Sequence, residues 1–250
     1  MEKRVIDYML VPSGLLAMVI YHGWLLYRII HHPTRTVIGV NAIHRRSWAR
    51  AMLENLHNNG VLGVQTLRNN IMSSTLMASM AIMLSSLIAV LISSGGRNKI
   101  ELFIFGDRSE ASLSLKYFCI MASLLVAFLF NLQSISYYSY ASLLVNVPYK
   151  KISQDDQHEQ LIVDFVGRTV NMGSLFFSLG LRAFYFSFAL FLWIFGPLPM
   201  FVYSFVLVFK LYFLDVNFHS GCVVDVSDDD DDITTNSIKD EELGVIGRPT

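Results

Sequence analysis

Four stretches of the chain contain no Asp, Glu, Lys or Arg, and this feature constrains the fold most strongly. They are Tyr8–Tyr27, Ile71–Ile92, Tyr117–Ser136 and the 27 residues Ala183–Phe209. A bilayer core about 30 Å thick is crossed by roughly 20 apolar helical residues. A helix satisfies all of its backbone hydrogen bonds internally when no water is present. The pattern therefore predicts an all-α integral membrane protein, a bundle of about four transmembrane helices.

The composition supports this class and argues against others. Hydrophobic residues make up 53% of the 250 residues and charged residues only 16%. An average soluble domain is about a quarter charged, so a water-soluble globular enzyme is disfavoured. The formal net charge of −1 gives no basic excess for nucleic acid. Two cysteines, Cys119 and Cys222, are too few and too far apart for a disulfide framework.

We predict spans at about residues 8–30, 71–93, 116–138 and 182–212, within a transmembrane domain of residues 1–217. The last apolar run contains Gly196 and Pro197, and a proline inside a helix kinks it. One interpretation is a single long, kinked span. The other is a hairpin of two helices, the first running from Asn171 to Phe195 and carrying Arg182. The kinked span is favoured, because an arginine inside a span is costly.

The first loop contains a second helical pattern, over residues 43–57. Trp48, Met52 and Leu56 recur at helical spacing, with arginines between them. This pattern is typical of an amphipathic helix lying in the membrane interface. A helix packed on the bundle outside the membrane fits it equally well. Lys and Arg are more numerous in the first and third loops, which favours a cytoplasmic location for both.

Residues 218–250 differ sharply from the rest of the chain. Asp228–Asp232 is a run of five aspartates, and Asp240, Glu241 and Glu242 follow. Such a block repels itself and cannot build a core, so we predict a disordered acidic tail. Ser227, directly before the run, is a candidate for acid-directed phosphorylation. The tail offers a site for a protein partner.

No motif in the sequence points to catalysis or to a bound metal. The sequence contains no nucleophile elbow, P-loop or dinucleotide-binding glycine motif. Glu54 and His57 form one Glu-x-x-His step, but a di-iron bundle needs two such steps and further carboxylates. The predicted first three spans have no Asp or Glu. We therefore expect a protein that is not an enzyme and that needs no cofactor.

Polar residues gather at one end of the predicted bundle. The candidates for ligand binding are Arg68, Asn69, Asn131, Gln133, Arg182 and Tyr185. Polar residues inside membrane spans usually face the bundle interior or a wet cavity. Arginine and amide donors there suit a phosphate or carboxylate, in a lipid headgroup or a small solute. Alternatively, the arginines extend to their own interface and the amides hydrogen-bond between helices.

Several short motifs carry a resemblance to a known family. They are Val64–Met72, Ser74–Ser79, Phe130–Asn131, Gly180–Phe186 and Trp193–Pro197. Together they resemble the membrane family catalogued as domain of unknown function 599, and the chain looks like a plant-type member. The resemblance covers about Val5 to Asp215, short of the tail. It implies a multi-pass membrane protein and brings no activity, cofactor or catalytic residue.

Two classes of function follow. In the first, the polar end of the bundle binds or transports a small anionic solute or a lipid headgroup. In the second, the protein is a membrane scaffold or signalling partner. It would then recruit proteins through its acidic tail and through the small-residue face of the second span, which carries Ala81, Ser85 and Ala89.

Overall fold

The computed structural model describes residues 2–32, 35–93, 110–147 and 156–216. These residues are almost entirely helical, which confirms the predicted all-α class. The described helices are α1 (Glu2–His31), α2 (Val37–Glu54), α3 (Leu56–Ser93), α4 (Glu110–Val145), α5 (Asp156–Phe195) and α6 (Pro197–Asp215). The predicted acidic tail and Ser227 lie outside the described residues.

Five of these helices are long and apolar enough to cross a membrane. Their qualifying segments are Met9–His31, Asn59–Val90, Ala111–Val145, Gln160–Phe195 and Pro197–Asp215. The prediction of about four spans is therefore one too low. The chain has the helices of a multi-pass membrane protein.

The missing span results from a break at Gly196. This residue has extended backbone angles (φ 159°, ψ 169°), and α6 begins at Pro197. A residue before proline is disfavoured in the helical region, whereas proline suits the first turn of a helix because it needs no N–H partner there. The favoured single kinked span was wrong, and the alternative of two helices is the one observed. Arg182 consequently lies within α5 rather than at the start of a span.

Helices α3, α4 and α5 form the long centre of the bundle. Ser134 on α4 is within 3.1 Å of the Ser74 hydroxyl on α3, and its own hydroxyl donates to the Gly173 carbonyl of α5 at 2.7 Å. α4 runs antiparallel to both neighbours, so α3 and α5 point the same way. The 40 residues of α5 give a helix about 60 Å long, which is longer than a bilayer core.

Helices α1 and α6 cover one half of this centre, toward Gly196, which we call the Gly196 end. A buried cluster joins them to α5 through Met18, Tyr21, Ala189, Leu207 and Leu211. Gly14 of α1 lies close to α6, where a Cβ would be 3.4 Å from the Ser204 hydroxyl. A Cβ at this distance would make an ordinary van der Waals contact, so α1 and α6 pack closely around a small residue, as is common in membrane bundles.

Helix α2 covers the other half, which we call the α2 end. Ala49 is fully buried, and a Cβ on Gly167 of α5 would lie 3.4 Å from the Arg46 Cα. Arg46 also donates to both carboxylate oxygens of Asp164 at 2.7 Å. α2 thus packs on the bundle, as one of the two interpretations expected. Its depth relative to a lipid interface stays a prediction.

Candidate functional site

A buried ion pair joins the last two helices. The Arg182 Nη2 atom on α5 donates to Asp215 Oδ1 at 2.5 Å. The other carboxylate oxygen accepts from the Tyr21 hydroxyl of α1 at 2.6 Å. The two charged side chains are only 12% and 8% exposed. Three helices therefore meet at one carboxylate, and this contact balances the charge of Arg182 within the bundle.

The residue after Asp215 extends this connection to α2. Val216 forms an isolated antiparallel bridge with Thr36. The Thr36 hydroxyl accepts from the Gly39 amide at 3.2 Å and caps the start of α2. A side-chain cap satisfies one of the free N–H groups of a helix start. The end of α6 is thus held to α1, to α5 and to the beginning of α2.

Two of the predicted site residues lie around this pair. Arg182 makes the ion pair, and its Nη1 atom is buried without a hydrogen-bond partner in the described part of the chain. Tyr185, one turn further along α5, lies under the ammonium of Lys210, which is 4.7 Å from the ring centre. Asp215 is not among the predicted site residues. It follows the predicted last span, at a sequence separation of 33 from Arg182.

Asn131 is buried at a different contact, between α4 and α5. Its Nδ2 atom donates to the Ala127 carbonyl of its own helix at 2.8 Å, and its Oδ1 atom has no hydrogen-bond partner among the described residues. A Cβ added to Gly180 would lie 2.5 Å from Nδ2. Only glycine leaves room for the amide here, so Asn131 and Gly180 form one close helix contact.

The remaining predicted site residues point outward. Arg68, Asn69 and Gln133 are all exposed. Arg68 lies six residues before Ser74, and Arg182 lies nine residues after Gly173, which is at the same level as Ser74. Fifteen residues of parallel helix correspond to about 22 Å along the axis. The structure therefore does not bring Arg68 and Arg182 into one cluster.

A polar cavity of about 360 Å³ opens instead at the α2 end, between α2, α3 and α5. We call it the Arg45 cavity. Its base is formed by the buried Leu67 and Val170, and its outer rim by the exposed Asn41 and His44. Its other lining residues are Arg45, Trp48, Thr66 and Asn70. The cavity thus combines an apolar base with hydrogen-bonding groups and one permanent cation.

Arg45 is the distinctive group in this cavity. Its Nη1 atom donates to Asn171 Oδ1 of α5 at 2.9 Å. Within the described part of the chain, it makes no ion pair with a carboxylate, in contrast to Arg46 beside it. Burial lowers the pKa of Arg45, and the nearby Tyr138 partly opposes this effect. A partly buried cation without a counter-ion favours an anion in the space beside it.

The sequence contains a pattern of polar and aromatic residues that indicates one wall of this cavity. His44, Arg45 and Trp48 lie three, four and seven residues after Asn41. Residues so spaced share one face of a helix. The predicted pattern over residues 43–57 did not separate Arg45 from Arg46, although adjacent residues point about 100° apart on a helix.

A second, larger space lies toward the Gly196 end, between α3 and α4. This apolar groove has a volume of about 1040 Å³, and its α3 wall includes Ala81, Ser85 and Ala89. Tyr117 and Phe118 are among the α4 residues that line it. The small residues that predicted a helix-packing face therefore line this groove.

Comparison with known proteins places the chain in a family. No curated protein and no solved structure matches it. A family model described as a protein of unknown function, DUF599, matches residues 9–220. The match covers all five candidate spans and the cavities between them. The assignment to plants stays a prediction. The chain therefore belongs to the DUF599 family of proteins of unknown function.

Proposed function

We propose that this membrane protein binds a small anionic group, from a lipid headgroup or a solute, in the Arg45 cavity. The observation that carries the proposal is that Arg45 lines a polar cavity and has no carboxylate partner among the described residues. A permanently charged guanidinium taken partly out of water gains most from an opposite charge. The proposal keeps the predicted class of ligand and moves its site from Arg68 and Arg182 to Arg45.

The contrast with Arg182 supports this choice of site. Arg182 already has a carboxylate at 2.5 Å and lies in a packed region. An anion there would have to displace Asp215. At Arg45 one N–H group is used by Asn171, which leaves donors in the same planar fork for a ligand. We therefore infer that Arg182 has a structural role and that Arg45 has the binding role.

The proposed activity is binding without chemical conversion. Among the described residues, the lining of the Arg45 cavity contains no acidic side chain. Binding of this kind is the common first step of a lipid-binding protein and of a transporter. We place the protein in this non-enzymatic class.

The experiment is a thermal unfolding measurement on the purified protein in detergent. Sodium phosphate and sodium chloride are compared at equal ionic strength, because a ligand of the folded state raises its stability. We expect phosphate to raise the midpoint of the wild-type protein and to have no such effect on Arg45→Gln. Arg50→Gln, an exposed arginine of the same helix, is the matched control and should respond like the wild type. An equal response of the wild type and Arg45→Gln would contradict the proposal.

A second candidate function rests on the apolar groove. Its α3 wall carries the small residues Ala81, Ser85 and Ala89, and such residues allow close helix contact in membranes. A scaffold role would use this groove together with the acidic tail. Deleting residues 219–250 separates the two candidates, because anion binding should survive the deletion and recruitment of a partner by the tail should not.

A further inference from the structure

The lining of the Arg45 cavity narrows the class of anion, provided that the proposed function holds. Hydrogen-bonding groups come from two walls. α2 contributes Asn41, His44 and Arg45, and α3 contributes Thr66 and Asn70. The Thr66 hydroxyl already donates to the Leu62 carbonyl at 2.9 Å. The amide of Asn70 is therefore the main donor on the α3 wall.

The number of oxygen atoms on the ligand decides between a carboxylate and a phosphoryl group. A carboxylate has two oxygens in one plane, and one guanidinium can engage both of them. A carboxylate bound in this way presents its remaining lone pairs in the plane of the guanidinium, so it is poorly placed to accept from the Asn70 amide on the opposite wall as well. A phosphoryl group arranges its oxygens around a tetrahedral phosphorus, so it can accept from Arg45 and from the second wall together.

The size of the cavity points to more than an inorganic ion. At about 30 Å³ per water molecule in the liquid, the 360 Å³ cavity corresponds to roughly a dozen waters. A free phosphate has five heavy atoms and leaves much of this space unfilled. Trp48, Leu67 and Val170 add apolar surface to the lining. An organic group attached to the phosphate would cover that surface.

We propose that the ligand is a phosphate ester. Its phosphoryl group binds between Arg45 and Asn70, and its esterified group lies along Trp48. This chemistry is shared by a phospholipid headgroup and by a small soluble phosphate ester. The described lining contains no carboxylate that would repel a doubly charged phosphate. His44, at the rim, supplies an imidazole N–H as a further hydrogen-bond donor.

The test compares four probes on the full-length protein in detergent, with thermal unfolding and tryptophan fluorescence as readouts. The probes are sodium acetate, inorganic phosphate, glycerol 3-phosphate, and phosphatidic acid added in mixed micelles with phosphatidylcholine. We expect an ester, soluble or lipid, to bind at least about tenfold more tightly than acetate, a difference of about 1.4 kcal/mol. Inorganic phosphate should fall between the two. Preference for glycerol 3-phosphate or for phosphatidic acid identifies the source, and either result supports the proposal.

Two variants make the result specific to the cavity. Asn70→Leu should weaken the binding of the phosphate ester several-fold and leave acetate binding unchanged. Arg45→Lys keeps the charge but loses the planar fork, so it should weaken both. The unfolding midpoint without ligand shows whether each variant is folded. Asn69→Leu, at an exposed neighbouring position, is the control for Asn70→Leu. Its unfolding midpoint shows how much stability the same substitution costs outside the cavity.

Two outcomes overturn the inference in distinguishable ways. If acetate binds as tightly as both esters, and Arg45→Gln abolishes that binding, the phosphate-ester proposal is wrong. The proposed anion binding at Arg45 would still hold. Absence of binding by all four probes to a folded wild-type protein would remove both proposals.

Discussion

Arg182 and Asp215 form a buried ion pair between α5 and α6, with an N···O distance of 2.5 Å. The carboxylate also accepts from the Tyr21 hydroxyl at 2.6 Å. This contact explains how α5 contains an arginine within an apolar bundle. A single charge there would be costly, whereas a paired and hydrogen-bonded one is tolerated. The carboxylate of the pair belongs to the last residue of α6.

Breaking this ion pair should strongly destabilise the protein. We expect Asp215→Asn to lower the free energy of unfolding by about 3 to 5 kcal/mol, because it leaves Arg182 as an uncompensated buried charge. The double variant Arg182→Met/Asp215→Leu removes both charges and should be closer to the wild type than Asp215→Asn. Thermal unfolding in detergent measures both. A double variant less stable than the single one would contradict the charge argument.

The exposed pair at the α2 end gives a useful contrast. Arg46 and Asp164 make two short hydrogen bonds, but the arginine side chain is 64% exposed. Exposed ion pairs contribute about 0 to 1 kcal/mol. Asp164→Asn should therefore change the unfolding midpoint far less than Asp215→Asn. Equal losses of stability in the two variants would mean that burial does not determine how much each ion pair stabilises the protein.

Five spans place the two ends of the chain on opposite sides of the membrane. The acidic tail and the loop before α5 should then be on the same side, and the loop before α4 on the other. Topology reporters fused after Asp156, Gly106 and Asp225 test this arrangement. The same signal from Asp156 and Asp225, opposite to that from Gly106, is expected. Opposite signals from Asp156 and Asp225 would restore four spans.

The helical class and the presence of several apolar spans could be predicted from the sequence, because both depend on local composition. The number of spans was underestimated because the cost of Arg182 was judged without a counter-ion. Asp215 follows the apolar run of α6 and gives no local sign of its partner. The Arg45 cavity was missed for a related reason. The sequence shows that Asn41, His44, Arg45 and Trp48 share one face of a helix. That this face lies opposite α3 is known only from the structure.

Adding even a methyl group at Gly180 should destabilise the protein. A Cβ at Gly180 would lie 2.5 Å from the Asn131 Nδ2 atom and 3.3 Å from the Ala127 carbonyl oxygen. We expect Gly180→Ala to lower the unfolding midpoint. Gly23→Ala is the matched control, since a Cβ there meets no atom of the described residues within 4 Å. The control should be neutral or should gain about 0.5 to 1 kcal/mol from the better helix propensity of alanine.

Combining Gly180→Ala with Asn131→Ala tests whether the clash is the cause. Removal of the amide takes away the nearest atoms, so the double variant should lose less stability than the sum of the two single losses. An additive loss would show that the backbone contact with Ala127 dominates instead.

A carboxylate built into the protein beside Arg45 should act as a competitor of the proposed ligand. Asn171 accepts from Arg45 Nη1 at 2.9 Å, and Asn171→Asp keeps the shape of this side chain while adding a negative charge. An opposite charge at hydrogen-bond distance raises the pKa of Arg45 back toward its ordinary value. We expect the ligand-free variant to be more stable than the wild type near pH 7, and to bind anions more weakly.

The pH dependence of Asn171→Asp shows whether its added stability comes from the ionised carboxylate. The added stability requires an ionised carboxylate, so it should be present above the ordinary Asp pKa of about 4 and be lost as the pH falls below that value, toward the lower pKa of the carboxyl group paired with Arg45. Asn69→Asp, at an exposed position on α3, is the matched control and should change neither stability nor anion binding appreciably. Greater stability together with weaker anion binding separates competition from unfolding, because a damaged fold would lose both. If Asn171→Asp binds phosphate as well as the wild type does, Arg45 does not supply the charge that the ligand contacts.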